Sequence, residues 1–151
     1  CVLHDIGKVG IPDSILLKKD RLSDEELQIM LRHATIGYEA LKSATKDLGE
    51  DSFLKMALDI TLYHHERWDG SGYPFGLKGT EIPLSARIVA IADVYDALTT
   101  ARPYKKAFSH QESLEILNKE THKFDPELLT IFMDNADEFD QIRMRFISES
   151  Q

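Results

Sequence analysis

Imidazole and carboxylate side chains fall in short groups along this chain, and metal-assisted hydrolysis is the chemistry such groups suggest. His4 and Asp5 are adjacent, and Lys8 follows one turn later. Neighbours on a helix project about 100° apart, yet both can reach one centre if that centre is a pair of metals. A carboxylate can bridge two cations while an imidazole terminates one, and the Lys8 ammonium can reach over the same place. His64 and His65 are also adjacent. They follow an apolar helical run (Leu54, Ala57, Leu58, Ile60, Leu62) and precede Glu66, Arg67 and a glycine-rich stretch. Neutral imidazole binds iron, manganese or zinc, and a helix end beside a loop leaves a coordination position open to water. Asp93 lies within Ile88-Val89-Ala90-Ile91-Ala92-Asp93-Val94. A bare carboxylate there is costly to desolvate, so it is expected to be paired, protonated or metal-bound.

Each group also has a plainer reading. A lone His-Asp pair is as readily a solvated helix end, and an isolated His-His pair is more often satisfied by ordinary hydrogen bonds. Asp93 alone could be half of an ion pair with Arg87 or Arg102. His33 flanks an apolar stripe one turn before Gly37, where a histidine is more often packing than ligand; His110 and His122 read as structural or solvated. Asp96 lies one turn beyond Asp93 and could orient a ligand or a cation. Arg102-Pro103-Tyr104-Lys105 follows the Asp93 helix, so a guanidinium and an ammonium there could grip phosphate. Alone, that segment is a solvated basic turn.

The elements that must carry these residues read as helices throughout. Ser23 to Glu26 is a capping box, opening a helix with apolar positions Leu27, Met30, Leu31, Ala34, Tyr38 and Leu41. Lys46 to Ser52 is a polar joint, and a second helix is expected from about Phe53 to Trp68. Asp69 to Pro83 holds Gly70, Gly72, Gly76 and Gly79, too many breakers for regular structure. Leu84 to Thr100 is apolar almost all round, which predicts a helix in the middle of a bundle. Ser109 to Glu112 is another capping box. Asp125 followed by Pro126 supplies an N-cap and N1 for one more helix. The expected domain spans 1–136, with 137–151 as an unassigned tail of weak periodicity.

The net charge of −8 argues against a duplex-DNA binder, which displaces counterions with a basic surface. A single cysteine excludes an internal disulfide framework and favours a reducing cytoplasmic setting, free or as the cytoplasmic domain of a membrane-bound sensor. The sequence starts at Cys1 and reads as entered within a helix, with a sensor or receiver domain expected upstream. Loss of preceding helices would expose apolar surface around His4.

The order of the motifs says more than any one of them. His4-Asp5-Ile6-Gly7-Lys8, His33, His64-His65-Glu66-Arg67-Trp68-Asp69-Gly70-Ser71-Gly72-Tyr73-Pro74, Ile91-Ala92-Asp93-Val94-Tyr95-Asp96-Ala97 and Arg102-Pro103-Tyr104-Lys105 together closely resemble the HD-GYP family, up to about Phe132. The resemblance implies an all-α HD-superfamily bundle with a Gly/Pro-rich loop between helices. It implies a bi- or trinuclear metal centre, with His4, Asp5, His33, His64, His65 and Asp93 as ligands and Asp5 bridging. Lys8 would touch the scissile phosphate, making Lys8 and Asp5 the catalytic pair. Gly72, Tyr73 and Pro74 would shape the nucleotide pocket, with Tyr73 available for base stacking. Arg102 and Lys105 would hold the second phosphate, steadied by Asp96. The mixed ligand set suits iron or manganese at least as well as zinc. The implied activity is hydrolysis of cyclic di-GMP to pGpG and, in some members, onward to GMP. The family's domain begins with helices that supply a further Glu and His, and those positions lie outside this sequence. Two other functions fit the pattern less well. One is a catalytically silent module that binds cyclic dinucleotide or docks on a diguanylate cyclase domain. The other is an HD-superfamily nucleotidase or ppGpp hydrolase.

Overall fold

The computed structural model describes residues 3–45, 52–101 and 106–149. Among these residues every regular element is helical. A short 3-10 helix, Ile6–Gly10, follows the His4-Asp5 pair, and shorter 3-10 segments recur at Gly79–Glu81 and Thr121–Lys123. Then come α1 (Asp13–Leu16), α2 (Asp24–Leu31), α3 (His33–Thr45), α4 (Ser52–Tyr63), α5 (Leu84–Thr99), α6 (His110–Lys119), α7 (Pro126–Asp134) and α8 (Ala136–Glu149).

The caps form as the sequence dictates. Ser23 and Ser109 each accept from the backbone of the glutamate three residues on, and each glutamate returns to its serine's amide. Asp125 accepts from Glu127 and Leu128, with Pro126 at N1. Other boundaries differ from expectation. His4 and Asp5 stand in a turn ahead of a 3-10 segment, not on an α-helix. The helix expected from Ser23 through Leu41 bends at Arg32, whose amide reaches back only to Ile29. The helix before the histidine pair stops at Tyr63, so His64 and His65 occupy the turn beyond it. Residues 136–149, most of which fall in the unassigned tail of weak period, form α8.

α3 packs against the 3-10 turn on one side and α4 on the other, α4 packs on α5, and α5 meets α6 and α7. Gly7 permits the first contact. A Cβ there would stand 1.8 Å from the His33 carbonyl oxygen and 2.5 Å from the Gly37 amide. The main core lies along α5, where Ile91, Tyr95, Leu117, Phe124, Leu129 and Phe132 are buried together. The Tyr95 hydroxyl lies 2.8 Å from His110 and 3.3 Å from the Asp140 carboxylate of α8, and Phe132 meets Phe139. α5 is not enclosed on all sides, as its apolar sequence led one to expect, because Leu84 and Ile88 stay half exposed. It borders the described bundle on that face. No described helix is long and apolar enough to cross a membrane.

Candidate metal centre

Four chain segments deliver the ligating side chains to one place. The turn after the first residues brings His4 and Asp5, the bend at Arg32 brings His33, the end of α4 brings His64 and His65, and α5 brings Asp93. Asp5, His33, His64 and His65 each offer an atom within 4.8 Å of the others. His4 Nε2 lies 3.3 Å from Asp5 Oδ2 and 3.4 Å from Asp93 Oδ1, joining Asp93 to the same group. Lys8 Nζ lies 2.5 Å from Asp5 Oδ2.

The local backbone explains two of the imidazoles. Ending α2 at Leu31 turns His33 back so that Nδ1 meets the Met30 carbonyl at 2.8 Å. His64 Nδ1 meets the Ile60 carbonyl at 2.9 Å. A carbonyl only accepts, so Nδ1 carries the proton in both rings, and in the neutral ring Nε2 keeps its lone pair. Both Nε2 atoms are buried and lack a hydrogen-bond partner among the described residues. His33 Nε2 faces Asp5 Oδ1 at 3.4 Å and His64 Nε2 faces the same oxygen at 3.9 Å. Lone pairs converging on a carboxylate repel unless a cation stands among them. Ligand atoms about 2.1 Å from one ion are separated by roughly 3–3.5 Å at ordinary coordination angles. The donor set therefore fits a divalent metal.

Electrostatics sort the imidazoles. Burial pushes His64 down to about 4 and His65 down to about 3, helped by neighbouring imidazoles, so both rings are neutral at pH 7. His4 is raised to about 9 by hydrogen bonds to Asp5 and then Asp93. Burial works against ionisation of Asp5, but hydrogen bonds from His4 and Lys8 outweigh it and hold the carboxyl well below the usual range. Asp93 shows the same contest, with His4 prevailing. Its side chain is 27% exposed, less buried than its apolar neighbours in sequence suggest.

The glycine-rich loop folds back over the histidine pair. A Cβ on Gly72 would lie 2.4 Å from the Arg67 amide and 2.5 Å from Glu66 Cα, so only glycine allows the approach. The Tyr73 amide donates to the His65 carbonyl at 3.2 Å, and the Tyr73 ring stacks on His65 with centroids 4.7 Å apart. Tyr73 and Pro74 are joined by a cis peptide. That stacking gives one face of the Tyr73 ring to His65. Asp96 is exposed near the end of α5, where its carboxylate meets the Thr100 hydroxyl at 3.5 Å. Arg102 and Lys105 lie outside the described residues.

Several supporting residues escape sequence reasoning. Glu66 is 3% exposed and accepts from the amides of Phe75 and Leu77. Arg87 pairs with Asp125, not Asp93, at 2.5 Å, donates to the Ile82 carbonyl, and lies over Trp68. The signal for Glu66 was its position: an acid set directly before a loop rich in unpaired amides. No local pattern marks Arg87.

Residues 1–128 match the HD domain family. The chain belongs to that family, in its HD-GYP form. It is 51% identical over 145 residues to a "Cyclic di-GMP phosphodiesterase" of Vibrio cholerae, covering 95% of this chain and 30% of that protein. It is 45% identical to the "Cyclic di-GMP phosphodiesterase response regulator RpfG" of Xanthomonas campestris, covering 98% and 38%. It is 43% identical to a "3'3'-cGAMP-specific phosphodiesterase 2" of Vibrio cholerae, covering 93% and 26%. The chain thus spans little more than a third of these relatives at most.

Proposed function

We propose that this chain carries the catalytic site of a divalent-metal-dependent phosphodiesterase that hydrolyses cyclic di-GMP to pGpG, the product that some family members cut again to GMP. The observation that carries the reading is the convergence of the buried Nε2 atoms of His33 and His64, neither with a hydrogen-bond partner among the described residues, on the Asp5 carboxylate. His4, Asp5, His33, His64, His65 and Asp93 are the residues that would hold two or three metals, with iron or manganese favoured. Such a centre supplies a nucleophile from water at neutral pH and draws charge from the phosphoryl oxygens.

The chain's own groups do the rest. The Lys8 ammonium, close enough to Asp5 for a salt bridge, offsets negative charge on the scissile phosphate. Gly72, Tyr73 and Pro74 wall the pocket above His65. Arg102 and Lys105 hold the phosphate that is not cut, and Asp96 steadies that pair. The names of the relatives support a cyclic dinucleotide as substrate, and both di-GMP and cGAMP occur among them. A diguanylate cyclase partner and an upstream input domain belong to the same reading.

The full-length protein, loaded with Mn2+ or Fe2+, should be offered cyclic di-GMP, 3'3'-cGAMP and ppGpp, with metal content measured in parallel. Turnover of cyclic di-GMP is expected to lead. A fully metallated protein with no turnover of either cyclic dinucleotide would sink the reading and favour a binding module.

A further inference from the structure

Glu66 is not among the residues that converge on the metal centre, yet it is almost fully buried at its edge. One carboxylate oxygen accepts from the Phe75 amide at 2.8 Å and the other from the Leu77 amide at 2.9 Å. Those two contacts fasten the loop just after Tyr73 to the backbone just after His65. The Gly72 approach and the Tyr73-to-His65 amide bond close the same junction from the other side. The result is the stacked pair of His65 and Tyr73, whose planes lie 24° apart.

His33 and His64 have their rings set by backbone carbonyls through Nδ1. His65 is set differently. Among the described residues, what lies flat against its ring is Tyr73. Losing a group that orients a ligating imidazole typically costs about 10–100-fold in metal affinity.

We propose that Glu66 is a positioning residue for the metal centre, acting through the loop and the Tyr73 ring to fix the orientation of His65. The proposal rests on reading the cluster as a metal centre, and not on which nucleotide is cut. Glutamine at this place keeps the size and one acceptor but turns an NH2 group against a backbone N–H. One of the two fastenings is then lost.

Mn2+ titration calorimetry of the full-length protein tests this, with hydrogen exchange of the 73–78 segment and thermal unfolding of the chelated protein as companions. Glu66→Gln is expected to weaken Mn2+ binding roughly 10–100-fold and to speed exchange at Phe75 and Leu77. Tyr73→Ala should weaken binding similarly, and Tyr73→Phe, which keeps the ring, should bind as the parent does. The double variant Glu66→Gln/Tyr73→Ala should be no weaker than Tyr73→Ala alone, because both changes break one line of support. A lower unfolding temperature with unchanged Mn2+ affinity in Glu66→Gln would overturn the proposal, as would losses that add in the double variant. Should Glu66→Gln fail to fold, the Tyr73 pair still decides: parent-like binding by Tyr73→Ala overturns it. A parent protein that binds Mn2+ but cuts no cyclic dinucleotide would end the functional reading and leave this one standing. One that binds no Mn2+ would end both.

Discussion

His64 Nε2 faces Asp5 Oδ1 across 3.9 Å, with the imidazole proton held on the far side by the Ile60 carbonyl. Burial keeps that ring neutral, so neither partner brings a proton to the gap. An ordinary hydrogen bond cannot be drawn there, but a shared cation can. Asp5→Asn keeps the volume and removes the charge. It is expected to lower bound metal at least about 10-fold and to abolish turnover. Elemental analysis after dialysis checks this, and full metal retention would count against Asp5 as a bridging ligand.

The same protonation pattern predicts a pH profile for the metal-free protein. His64, lowered from 6.5 to about 4, binds its proton more readily when unfolded, so its contribution is lost as pH falls from 6.5 through 4. His4, raised from 6.5 to about 9, contributes fully below 6.5 and loses that contribution as pH rises through 9. The unfolding temperature of the chelated protein should therefore peak near pH 6.5 and fall by several degrees on either side. Saturating Mn2+ should lift the alkaline side, since metal takes the place of the proton on His4. Calorimetric scans from pH 4.5 to 8.5 decide; a profile flat across that range, about half a unit inside each midpoint, would refute the assignment.

Much of this arrangement is legible in the residues and some is not. The capping boxes at Ser23 and Ser109 and the Asp125-Pro126 pair announce their helices because the signal is local hydrogen bonding. The bend at Arg32 is invisible to periodicity, since one tightened residue leaves the apolar stripe from Leu27 to Leu41 in phase. Yet that bend is what aims His33. Its part in the site came from resemblance, and a lone histidine beside an apolar stripe would otherwise read as packing. α8 went unassigned because its support is tertiary, through Tyr95 with Asp140 and Phe132 with Phe139. The Arg87–Asp125 pair spans 38 positions, and no spacing rule reaches so far.

Gly7 offers a way to damage the site without touching a ligand. Ala at this position would press on the His33 carbonyl and the Gly37 amide, both backbone atoms that cannot swing aside. Gly7→Ala should cost at least about 2 kcal/mol of stability and weaken Mn2+ binding, because the turn carrying His4 and Asp5 must move off α3. Urea denaturation and metal titration would show it. Unchanged stability would mean the turn is looser than its packing implies.

Arg87 and Asp125 join α5 to the start of α7 while Arg87 covers Trp68. Arg87→Ala strands a 6% exposed carboxylate and is expected to cost about 3 kcal/mol. Asp125→Asn, which keeps an oxygen for the cap, should cost less. The double variant should fall short of the sum. Denaturant midpoints for the three proteins test this, and strict additivity would show that the pair does not act as a unit.

α5 carries Asp93 toward the metal cluster and Ile91 and Tyr95 into the main core, two positions away on either side. One helix thus serves two masters from opposite faces. Inserting or deleting a single residue between Ile91 and Asp93 would rotate the carboxylate by about 100° relative to the Ile91 side chain packed behind it. Descendants of this chain can drift in composition along α5, but not in length. Indels are left to the joints between helices, so an alignment of its lineage should show α5 as an ungapped block however far the sequences have diverged.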